Sequence, residues 1–83
     1  MTPADYCDAM ARWWRDASAG DPPFAYEDTK TTARAAFNEE WMPDEYDGTS
    51  ANEHHAAAWD RAAARLRANN LHAAADAAEE TTR

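Results

Sequence analysis

The chain has no isoleucine and no valine in 83 residues, and leucine occurs only at Leu66 and Leu71. This constrains the fold more than any other feature. β-Sheets are built mainly from β-branched and aromatic residues, whereas alanine, the commonest apolar residue here, is the strongest helix former. Judged by Leu, Ile, Val and Phe alone, with a net charge of −8, the chain would be classed as disordered. Four Trp, three Tyr, two Phe and three Met point the other way. Each large aromatic buries roughly 150–250 Å², so a few of them replace many aliphatic residues in a small core. The expected fold is all-α: a compact bundle of three to four helices with an aromatic/alanine core, forming one small acidic domain over residues 1–83.

Local signals divide the chain. Thr2-Pro3-Ala4-Asp5 reads as a helix start, with Thr2 as cap, Pro3 in the first helical position and Asp5 closing a capping box. Tyr6, Met10, Trp13, Trp14 and Ala17 recur at helical spacing, Asp8 and Arg12 form an i, i+4 pair, and Gly20-Asp21-Pro22-Pro23 ends the helix. A second helix starts between Pro23 and Asp28 and runs to Trp41 or Met42, with Tyr26, Ala33, Phe37 and Trp41 on one stripe. Ser50-Ala51-Asn52-Glu53 is a second capping box. It opens a third helix whose inner stripe is His55, Trp59, Ala62 and Leu66. Asn69-Asn70 is read as a break before a short fourth helix, Leu71 to about Glu80. A single unbroken helix is the competing reading, at a cost of roughly 0.5–0.7 kcal/mol per Asn.

Between the second and third helices lies Asn38-Glu39-Glu40-Trp41-Met42-Pro43-Asp44-Glu45-Tyr46-Asp47-Gly48. From Ala35 to Asp60 there are seven acids (Glu39, Glu40, Asp44, Glu45, Asp47, Glu53, Asp60) and no Lys or Arg. Carboxylates beside aromatic rings engage arginine and lysine through ion pairing and cation–π contact together. The expected partner-binding residues are Glu39, Glu40, Trp41, Asp44, Glu45, Tyr46 and Asp47. The bland alternative is a solvated loop with Trp41 packed in the core.

Other chemistry finds little footing. Asp44 to Gly48 lacks the alternating acids and distal Glu of a calcium loop. His54 and His55 point about 100° apart on a helix and cannot chelate one ion, so no metal site is expected. His55 is expected as a partly buried, hydrogen-bonded ring and His54 as solvent-facing. Cys7 lacks a second cysteine, and two glycines cannot build a phosphate-cradling loop. The chain is therefore expected to be non-enzymatic, without cofactor. It carries neither a signal-peptide pattern nor a long apolar run, so a cytoplasmic location is expected.

Sixteen acids against eight bases repel nucleic acid and anionic membrane alike. The expected partner is a basic surface on a larger protein, such as a nucleic-acid-handling complex. The expected role is stoichiometric inhibition, with carboxylates standing where phosphates would sit. In size and charge alone, with no shared motif, the chain is similar to phage products that disarm bacterial defences, anti-CRISPR proteins among them. The alternative is a structural or regulatory adaptor, a homodimer joined through aromatic faces such as Trp13-Trp14.

Overall fold

A computed structural model describes residues 1–16, 20–43 and 50–81, with side chains described as far as Asn69. Three helices make up the fold: α1 (Pro3–Arg15), α2 (Glu27–Glu40) and α3 (Ala51–Thr81). No strand occurs among the described residues, and the expected all-α bundle is what the chain forms.

The N-terminal cap of α1 forms as its residues dictate. The Asp5 amide donates to Thr2 Oγ1 at 3.1 Å, and the Thr2 amide donates to Asp5 Oδ2 at 3.3 Å. The latter bond holds the Asp5 carboxyl below its ordinary range. The start of α3 corrects the expectation of a second capping box. Ser50 Oγ does accept from the Glu53 amide at 3.1 Å, but the Glu53 carboxylate turns away to Arg15 on α1. A tertiary ion pair has displaced the local bond.

The 31 residues of α3 continue through Asn69 and Asn70 as one helix, so the expected break and fourth helix are replaced by the unbroken reading. Two asparagines cost about 1 kcal/mol against alanine, less than ending and restarting a helix, which strands up to four donors and four acceptors. At 1.5 Å per residue α3 runs about 46 Å, and it accounts for most of the molecule's 51 Å long axis.

Both α1 and α2 pack on the first half of α3, more extensively than they pack on each other. Trp59 is the largest fully buried side chain, and Cys7, Ala33, Ala56, Ala58 and Ala62 are sealed with it. Alanine on each contacting face lets the helices approach closely, so one indole can fill the space between them. Phe37 stacks on Trp59 at 4.3 Å between ring centres, and Tyr6 meets it edge-on at 5.9 Å. Burial pushes the Cys7 thiol up to about 11, and its Sγ lies 4.0 Å from the Ala33 carbonyl oxygen: an inert core residue, not a nucleophile.

The expected stripe of α2 needs one correction. Ala33 and Phe37 are buried, but Tyr26 is 76% exposed. Tyr26 is the N-cap, with extended backbone (φ −69°, ψ 158°), so helical spacing does not govern where its ring goes.

Candidate functional site

The expected partner-binding segment begins at the C-terminal end of α2. Glu39 is exposed there. Glu40 is not free: its carboxylate accepts from Arg65 Nε at 2.8 Å and lies 3.8 Å from Arg61 Nε, and its carbonyl oxygen accepts from Arg61 at 3.0 Å. Trp41 caps α2 in extended conformation (ψ 125°) and is half-buried. It leans on Phe37 (5.5 Å) and His55 (4.7 Å), and meets His54 edge-on at 4.8 Å. Asp44, Glu45, Tyr46 and Asp47 lie outside the described residues. Within the segment, therefore, Glu39 is displayed, Glu40 clasps α3, and Trp41 joins the core's rim.

His55 is half-buried as expected, but it and His54 differ from expectation in what holds them. His55 is held by rings, with no hydrogen bond among the described residues: it stacks on Trp14 at 4.2 Å and 10°, and lies parallel to Phe37 at 6.3 Å. Burial, then the neighbouring His54 and Arg34, lower its pKa, so the uncharged ring is favoured. His54 is half-buried against Trp41, not solvent-facing as expected, because α3 is covered by the end of α2 along that side. A shallow hollow of about 360 Å³ lies beside these rings, lined by Trp41, Pro43, Ala51, His54 and His55.

Trp13 and Trp14 are also turned inward. They contact edge-to-face at 5.2 Å, and Trp13 Nε1 donates to the Gly20 carbonyl at 3.3 Å. Gly20 has φ +73°, the left-handed conformation that glycine adopts without penalty, and it fixes where that carbonyl points.

The arginines supply what periodicity missed. Arg15 bridges Glu53 (2.9 Å) and Asp60 (2.7 Å), Arg61 and Arg65 hold Glu40, and Arg67 holds Asp5 and Asp8. Asp8 thus pairs across the bundle with Arg67, 59 residues away, in place of the expected Arg12. Each exposed ion pair contributes about 0–1 kcal/mol, so their larger consequence is electrostatic. Among the residues whose side chains are described, four of seven bases and five of ten acids meet in these clasps, leaving Asp16, Asp21, Glu27, Asp28 and Glu39 outside them against Arg12, Lys30 and Arg34. Of those bases, Arg34 lies over the Phe37 and Trp59 rings at 5.9 and 5.7 Å and, with Lys30, lines an open hollow of about 490 Å³ along α2.

Among the described residues no three His, Cys, Asp or Glu side chains converge as metal ligands. Among them too, no helix is long and apolar enough to cross a membrane. No family model matches the chain, nor does any curated protein or any solved structure.

Proposed function

We propose that this protein is a non-catalytic, acidic binding protein that occludes a basic groove on a larger protein, as a stoichiometric inhibitor. The groove would be one that holds nucleic acid, and the carboxylates of Glu39, Asp44, Glu45 and Asp47 would take the place of phosphates, with Trp41 and Tyr46 beside them. One observation carries the reading: Arg15, Arg61, Arg65 and Arg67 are engaged in holding the helices together, while Glu39 at the start of the acidic segment is exposed and outside those clasps. A phage anti-defence role of the anti-CRISPR kind belongs to this proposal on grounds of size and charge. Glu40, already neutralised by two arginines, is left out of the contact set.

The test is capture from a lysate of the protein's native cell, washed at low and then high salt, with wild type beside Glu39→Lys/Asp44→Lys/Glu45→Lys/Asp47→Lys. A partner retained at low salt, released at high salt and lost with the variant supports the reading. A partner held equally by both proteins at both salt concentrations refutes it. The adaptor alternative asks for exposed indoles at Trp13 and Trp14, and both are half-buried in internal ring contacts.

A further inference from the structure

Two large aromatics stand apart from the core on the segment that enters α2. Phe24 is 75% exposed and Tyr26 76% exposed, while Ala25 between them is buried at 7%. Extended backbone sends alternate residues to opposite sides. With Ala25 set into the bundle and the Tyr26 backbone extended, Phe24 and Tyr26 both face outward. Their rings meet edge-to-face at 5.8 Å, so one ring face is presented next to the edge of the other. A small hollow of about 150 Å³ opens beside them, bounded by Met1, itself 68% exposed, and Thr29. Each ring could bury roughly 150–250 Å² and does so for neither helix. Contiguous exposed apolar surface of this kind marks interaction sites.

The charge around the pair selects its occupant. Asp21 precedes it, and Glu27 and Asp28 follow it directly in the first turn of α2, all three exposed, against Lys30 one turn on. A second copy of the chain would have to bring the same acids against themselves, because a two-fold interface places each patch on its own copy. Each copy also carries a net charge of −8. An arginine-bearing segment meets no such opposition: its guanidinium stacks on the ring faces and pairs with the flanking carboxylates.

We infer that Phe24 and Tyr26 form a docking surface for an arginine-rich segment of a basic protein, separate from the 38–48 segment and independent of its role. The test is titration of an octa-arginine peptide into the full-length protein at physiological ionic strength, followed by amide chemical shifts. Phe24→Ala/Tyr26→Ala leaves the charge and the circular dichroism unchanged and weakens binding about tenfold, the sum of two exposed cation–π contacts. Phe24→Leu/Tyr26→Leu keeps apolar bulk without rings and is weakened to a similar degree. Three results overturn the inference: affinity of the alanine variant within about twofold of wild type, as charge alone would give; full affinity in the leucine variant; or a wild-type dimer in sedimentation that the alanine variant dissolves, which would make the occupant a second copy. Charge reversal at the 38–48 segment leaves the ratio between wild type and the alanine variant intact, so failure of one reading is separable from failure of the other.

Discussion

Trp59 and Tyr26 are both large aromatic residues on or beside a helix, yet one is 2% exposed and the other 76%. Trp59 lies inside α3, more than two turns past its start, where the 3.6-residue period holds its indole between two alanine-lined helices. Tyr26 lies one residue before α2, where the backbone is still extended and the period is two. Side-chain chemistry is similar at the two positions; backbone geometry decides which of them stabilises the fold. The same contrast runs through the charges. Arg15, Arg61, Arg65 and Arg67 reach across to other helices, while Glu27, Asp28 and Glu39 face outward. The core is joined by rings and alanines, its seams by arginines, and the surface left over is acidic with a few displayed rings.

That contrast can be broken in graded steps. Trp59→Ala should cost about 3–5 kcal/mol, read by urea denaturation. Against roughly 4–12 kcal/mol for a domain of this size, the variant would be close to unfolded. Ala33→Leu, which inserts bulk where Cys7 meets the α2 backbone, should cost about 1–3 kcal/mol in the same assay.

Protonation of His55 should have a smaller effect, visible through pH. Its folded pKa lies below the ordinary 6.5, so the unfolded chain takes up the proton first. The stability it brings is complete above that ordinary value and is lost as pH falls through the folded one. Thermal midpoints should therefore drop on acidification below about pH 6.5, and His55→Phe, which keeps the stacking, should flatten that drop. The lowered carboxyls of Asp5 and Glu53 act in a separate window, below about pH 4. The smallest effect belongs to the displayed pair: Phe24→Ala/Tyr26→Ala should change stability by no more than about 0.5 kcal/mol. A cost near that of Trp59→Ala would place those rings inside the fold after all.

Much of the architecture is readable from the residues alone, for reasons that are local. The Thr2-Pro3-Asp5 cap, the acids of Glu27-Asp28 and the bend before Pro43 act within one helical turn, and the helix bounds follow them. Misreadings arise where a distant residue competes with a near one. Arg15 takes Glu53 from its cap, Arg67 takes Asp8 from Arg12, and both partners lie across the bundle. At Asn69-Asn70 a propensity cost of about 1 kcal/mol is outweighed by keeping the helix continuous. Tyr26 matches the helical stripe of Ala33 and Phe37 in spacing, but spacing carries no information about an extended cap. Of the candidate site, Glu39 is exposed as its position suggests, and the internal pairing of Glu40 depends on arginines more than twenty residues away.

If the carboxylates of the proposed contact set displace nucleic acid from a basic partner, the two ligands compete for one groove. The most direct measurement is titration of this protein into the captured partner bound to fluorescently labelled nucleic acid. Competition predicts complete release at one equivalent, with the effect weakening as salt rises. A ternary complex, in which the partner holds this protein and the nucleic acid together, would contradict it.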